Sequence, residues 1–304
     1  MAERPEKFPW LGFIVLAVIL VASAGGGYYA ITQTVLKPKP APSVLIVSEG
    51  DNVTVNYVGI FGSGIDKGKV FDTSLLSVAR DNASWPKALS FGFRGASGYT
   101  PLKAHVGPQS FGSYTSLITG FWTAMVGLPG NQTITTVIPP GQGYGFADPA
   151  KIMTFPMKQT VPMLYTYTPA QFASTYSGIP AQPLETFLDP HWGWNDTILS
   201  VNSTAVVLEY TPNVGEHISP LGWTDVVTGV SNTVSPTGLI TFVNDLVPLD
   251  VGQVQGVDWQ QGGGQFYLTN VNPTAGTYTL DFNTEVTGNT LIFEITVVDI
   301  LPPA

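Results

Sequence analysis

In "GDNVTVNYVGIFGSG", residues 50–64, apolar and polar side chains alternate until the chain enters a glycine-rich turn. A period of two puts one set of side chains on a single face of a β-strand, and the turn sends the chain back beside it. No strand is stable alone, so this stretch commits the chain to a sheet with one buried face, and other segments must pair with it and cover it. "GKVFDTS" and "KALSFGF" read as a second and a third short strand, and "NQTITTVIPP" as a fourth. "TLIFEITVVDI", near the end, reads as a strand buried on at least one face. Residues 94–116 are rich in Gly, Ser and Pro and read as a long loop.

The cover is a helix. In "SLITGFWTAMVGLPG", Leu117, Phe121, Ala124, Met125 and Leu128 recur at three- and four-residue spacing, the pattern of one apolar helical face. Gly127 and Pro129-Gly130 stop it. A second short helix starts at Thr168, a capping residue, with Pro169 at the first helical position, and runs through "AQFASTY". Downstream, "GWNDTILSVNSTAVVLEY" from Gly193 and "GWTDVVTGVSNT" from Gly222 share a Gly-Trp-x-Asp frame, read as two related β-hairpin units.

From Phe8 to Leu36 no residue is charged, and a run this apolar is long enough to span a bilayer, which takes ~20 residues. A cleaved signal peptide is the rival reading, because Ala22-Ser23-Ala24 resembles a small-residue cleavage site. The retained anchor is preferred, since the uncharged run continues past that site to Tyr28 and Tyr29, side chains suited to the membrane interface. "KPKPAPS", residues 37–43, reads as an extended spacer. Five Asn-x-Ser/Thr sequons, at Asn52, Asn82, Asn131, Asn195 and Asn202, lean towards an exported body. A formal net charge of −9 without a basic stripe argues against nucleic acid as a partner. With no cysteine and with His105, His191 and His217 far apart, neither disulfides nor a metal centre are expected.

One stretch resists a purely structural explanation. "TTVIPPGQGYGFADP", residues 135–149, presents a glycine-flanked Tyr144 after two prolines, with no nucleophile beside it. Taken in order, "GDNVTVNYVG", "KVFDTS", "LITGFWTAMVGLPG", "TVIPPGQGYG" and "NTLIFEITVVDI" resemble the FKBP-type peptidyl-prolyl cis-trans isomerases. "IPPGQGYGFADP" with "DFNTEVTGNTLIFEI" resembles, more narrowly, the SlyD-like subgroup and its archaeal relatives, in which a domain is inserted in the flap before the last strand.

The resemblance implies an α+β, mainly β fold, a twisted antiparallel sheet wrapped around a short helix. The expected organisation is a tail and anchor over 1–36, a Pro-rich linker over 37–49, a discontinuous isomerase domain over 50–155 plus 276–304, and an inserted, β-rich flap domain over 156–275. It also implies a proline pocket built from Tyr57, Phe71, Asp72, Ile118, Phe121, Tyr144 and Phe293. Leu117 and Trp122 are expected beside the pocket, Trp122 competing with Phe121 for its floor, and Leu89 competes with Phe91 for a further wall position. The expected partners are unfolded or proline-containing polypeptides, and no cofactor is implied. Trp192, Trp194, Trp223, Phe172, Tyr176 and Tyr167 form either a surface that grips unfolded chains or the core of a β-module. Loop 94–116 is longer than is usual in the family, so a catalytically weak holdase on the same fold is the alternative function, and a structural envelope protein is a third.

Overall fold

The computed structural model of the protein describes residues 44–258 and 263–303. The apolar run Phe8–Leu36 and the spacer at 37–43 lie outside the described residues. Among the described residues no helix is long and apolar enough to cross a membrane.

The alternating stretch forms β1 (Asn52–Phe61), which pairs along its whole length with the closing strand Leu291–Leu301. On its other edge, β1 pairs with β2 (Val70–Thr73) through Val58–Ile60 and with β3 (Leu102–His105) through Asn52–Val55. β4 (Thr133–Ile138) adds to the far side of the closing strand, and every pairing is antiparallel. The inward set Val53, Val55, Tyr57 and Phe61 meets Leu291, Phe293, Ile295 and Val297 in one core. Two short helices accompany the sheet, α1 (Leu76–Arg80) and α2 (Thr119–Met125). α2 buries Gly120, Phe121 and Met125 and ends at Gly127, whose φ of 90° is the left-handed turn a helix C-terminus favours.

Two local expectations are corrected. "KALSFGF" forms no strand, only a bridge between Lys87 and Val70, because the chain turns at Leu89-Ser90, where the Phe91 N–H donates to the Ala88 carbonyl at 3.1 Å. The loop 94–116 is not structureless: it contains a 3-10 turn, Ala96–Gly98, and β3. The four residues Leu102–His105 carry too little pattern to read as a strand, and β1 supplies the free edge that makes them one.

Between β4 and the closing strand, residues 152–281 build three four-stranded sheets of one topology. In each, a short strand, a long strand and a third strand follow one another, and a fourth comes from the outgoing arm, residues 152–167. The first sheet uses Thr186–Leu188, Asn195–Val201 and Val206–Tyr210 with Leu164–Tyr167. The second uses His217–Ile218, Asp225–Ser231 and Leu239–Asn244 with Lys158–Val161. The third uses Gln255–Asp258, Gly264–Asn272 and Thr277–Asp281 with Ile152–Pro156. The arm thus serves the sheets in reverse order. The third sheet also takes in strands a few residues beyond the expected insert limits of 156 and 275.

The two Gly-Trp units are therefore two of three. Gly193, Gly222 and Gly263 all have positive φ, at 84°, 99° and 83°. Six positions after each glycine, at Leu199, Thr228 and Thr269, the long strand carries a one-residue bulge. The third unit has Gly264 where the others have Trp194 and Trp223, and Phe282 crowds the place a side chain would take, 3.3 Å from its Cβ position.

The aromatic residues of this segment are core. Trp192, Trp194, Phe172 and Tyr176 are buried with Ile198, Leu208 and Phe242, and Trp223 is buried against Phe266 and Tyr278 of the third sheet. Tyr167 is half-buried against the first of these clusters. Packing at this density consumes the faces of Trp194, Trp223, Phe172 and Tyr176, so these do not form the exposed gripping surface considered above, whereas Tyr167 and Trp192 still border a cavity.

Candidate active site

The hydrophobic pattern of β1 points Tyr57 inward, and that of the closing strand points Phe293 towards it. Phe293 is the hub of a ring cluster: Phe121 stands at 4.9 Å, Phe71 at 5.5 Å and Tyr57 at 6.3 Å between centroids, the first two edge-on. Two glycines permit this approach. A Cβ at Gly59 would lie 2.6 Å from Phe71 Cζ and 3.0 Å from Phe293 Cε1, and one at Gly120 would lie 2.5 Å from Ile138 Cγ2. The glycines of "NYVG" and "LITGF" are therefore packing requirements.

The polar wall starts at Tyr57. Its hydroxyl donates to Asp72 Oδ2 at 2.5 Å, and Asp72 Oδ1 receives Arg94 Nη2 at 2.9 Å and the Thr73 N–H at 2.8 Å. Arg94 also donates to the Thr73 carbonyl, and its guanidinium lies over the Tyr99 ring, 5.0 Å from the centroid. Burial, and then the hydrogen bond to Asp72, raise the Tyr57 phenol well above its ordinary value, so it stays a proton donor.

Tyr144 is 49% exposed and projects from a turn that holds itself. The Pro140 carbonyl accepts from Gly143 and Gly145, at 3.0 and 2.9 Å, and Gly145, with φ of 85°, accepts in turn from Gly288. Partial burial and then the charge of Asp72 raise the Tyr144 pKa.

These groups enclose one cavity of about 300 Å³. All seven residues singled out for the pocket line it, Tyr57, Phe71, Asp72, Ile118, Phe121, Tyr144 and Phe293, and Leu117 lines it with them. Three others do not. Trp122, about 100° further round α2, packs half-buried on the main core, and it is Phe121 that lines the pocket. Phe91 packs on a satellite cluster of Val58, Val70 and Val78, with Lys87 Nζ 5.4 Å from its ring centre. Leu89 lines a different cavity, of about 240 Å³, with Asp66, Tyr267 and Glu285.

Sequence reasoning missed Arg94, Leu102, Thr115 and Ser116, all in the long loop, where no period marks them. That loop forms a wall of the cavity and does not fill it.

The site offers an apolar, ring-lined hollow with hydroxyl donors at its rim, Tyr57 already engaged and Tyr144 facing it. No histidine or lysine lines it, and its one serine, Ser116, has Ser110 Oγ at 3.4 Å as its hydroxyl neighbour rather than a base. His105 and His191 make ordinary hydrogen bonds, to Asn52 Oδ1 at 3.0 Å and the Thr175 carbonyl at 3.3 Å. Among the described residues no group of three or more potential ligands could hold a metal ion. A larger cavity of about 670 Å³, lined by Tyr165, Tyr167, Pro162 and Trp192 among others, lies in the three-sheet segment.

No family model matches the chain. Over 111 residues it is 32% identical to a protein of Methanocaldococcus jannaschii named short-type peptidyl-prolyl cis-trans isomerase. The match takes in 36% of this chain and 59% of that protein, so the chain spans about three fifths of the length of the curated relative it matches. What the chain is similar to, over that stretch, is thus a peptidyl-prolyl isomerase.

Proposed function

We propose that the protein is a peptidyl-prolyl cis-trans isomerase of the FKBP type, close to the SlyD-like subgroup. The observation that carries this reading is the convergence of Tyr57, Phe71, Asp72, Ile118, Phe121, Tyr144 and Phe293 on one cavity. Rotation about an X-Pro bond meets a barrier of ~18–20 kcal/mol because resonance keeps the amide planar. No proton or electron moves, so the catalyst has only to favour the twisted amide over the planar one. A ring-lined hollow takes the proline ring and strips water from the carbonyl, which favours the less polar twisted form. Ile118, at the N-cap of α2, has its N–H outside the helix ladder, and with the Tyr144 hydroxyl it orients the peptide. The Asp72–Arg94 pair fixes Tyr57, so the wall is preorganised.

The test is exchange NMR on a Leu-Pro tetrapeptide with the full chain. Acceleration is expected, and Tyr144→Phe and Asp72→Ala should each lower kcat/KM by up to about tenfold, the worth of roughly one hydrogen bond. No acceleration by the unsubstituted protein refutes the activity.

Two further parts of the reading complete it. The three-sheet segment holds unfolded chains, supported by its aromatic-lined 670 Å³ cavity, and suppression of aggregation of a denatured client tests this, with no effect overturning it. The run Phe8–Leu36 anchors the protein with its body outside the membrane, supported by apolarity and the sequons. Protease treatment of intact cells should digest the body, and full protection reverses the topology.

A further inference from the structure

The proline cavity continues on its Leu102 side into a second hollow of about 370 Å³. The two share Tyr57, Leu102 and Thr115, and most of the second is built by the long loop, through Arg94, Thr100, Lys103 and Ser113. Its charge runs against that of the molecule. The chain carries −9 overall, yet no carboxylate lines this hollow and two cations do. Arg94 is paired with Asp72, which leaves the two neutral together. Lys103 is exposed and forms no ion pair among the described residues; its Nζ lies 5.9 Å from the Tyr114 ring centre. The uncompensated positive charge beside the proline cavity is therefore that of Lys103.

We propose that this hollow is a subsite for an acidic side chain one or two residues from the substrate proline, with Lys103 as the attracting charge. The inference rests on the isomerase reading. An extended chain advances ~3.3–3.6 Å per residue, so a residue adjacent to a proline seated against Phe121 and Phe293 reaches past Leu102. The hydroxyls of Thr100 and Ser113 add hydrogen-bond donors for a carboxylate. Specificity here comes from the part of the loop that lines the second hollow, Thr100, Lys103 and Ser113, none of which lines the proline cavity.

The experiment compares three peptides that differ only in Glu, Gln or Lys beside the Leu-Pro pair, with the full chain, by exchange NMR. The Glu peptide is expected to exceed the Lys peptide in kcat/KM by about two- to fivefold at low salt, the usual worth of a partly exposed ion pair. The difference should shrink at high salt, and Lys103→Glu should reverse the order. Equal rates for all three, or an order unchanged in Lys103→Glu, overturn the subsite while leaving the isomerase reading intact. If no peptide is accelerated, that reading falls, and fluorescence anisotropy of labelled copies of the peptides decides the subsite by itself. Tighter binding of the Glu peptide, inverted in Lys103→Glu, supports it, and equal binding overturns it.

Discussion

At the scale of single residues, the site is decided as much by what is missing as by what is present. Gly59 has no side chain, and Phe71 and Phe293 close over the space. Gly59→Ala forces one of these rings away, and overpacking of this kind costs ~1–3 kcal/mol. The expected outcome is a lowered melting temperature together with weaker peptide binding, read by calorimetry and by titration. An unchanged melting temperature would show that the rings have slack. Asn52 makes the opposite point. It is a sequon in the sequence, yet in the fold it is 7% exposed and held by His105, whereas Asn82, Asn131, Asn195 and Asn202 are exposed. A tripeptide motif does not reveal burial, which depends on β1 having partners on both edges.

At the scale of elements, the three-sheet segment carries buried acids that its repeat explains. Asp196 follows Trp194 by two positions and Asp225 follows Trp223 likewise, and both point into their cores. Burial, and then the neighbouring Asp189, push Asp196 up to about 10; burial pushes Asp225 up to about 7. Both values lie above the ordinary carboxyl range near 3.8, so the folded state holds more protons than the unfolded state between these limits. By linkage, the stabilisation is full below pH ~4 and is lost as pH rises, through about 7 for Asp225 and about 10 for Asp196, with a slope of up to ~1.4 kcal/mol per unit per group. Denaturant midpoints of the segment should therefore fall from pH 5 to pH 9, and Asp196→Asn should flatten that fall. A midpoint that rises with pH contradicts the assignment.

The elements also show what the sequence makes legible. β1, β2, α2, β4 and the closing strand are readable because each repeats its period over enough residues or ends at a Gly or Pro of clear purpose. The helix α3 (Pro169–Thr175) is readable from its start, since Thr168 and Gln171 form a reciprocal cap. β3 has four residues and no alternation beyond them. The third repeat unit is hidden because Gly264 and Phe266 replace Trp and Asp, leaving only a glycine of positive φ and a bulge, features that the fold and not the sequence displays. For the pocket, the side chains carried on regular elements were readable from ordered motifs. Thr115 reaches it, and Arg94 braces its Asp72 wall, from a loop whose path depends on tertiary contacts.

At the scale of the whole molecule, Ile138 of β4 pairs with Leu291, although residues 139–290 separate them in sequence. The arm and the last repeat strand bring Ile152 opposite Asp281, with the Asn283 amide and the Asp148 backbone exchanging hydrogen bonds beside them. Until that pairing exists, joining β4 to the closing strand means closing a very long loop. Afterwards only the short stretches 139–151 and 282–290 remain to be spanned, and each halving of effective loop length recovers ~0.6 kcal/mol of closure entropy. Because Phe293, the centre of the ring cluster, rides on the closing strand, a chain whose middle has gone astray loses the advantage that lets its pocket come together. Assembly of the middle thus works as a checkpoint on the maturation of the site.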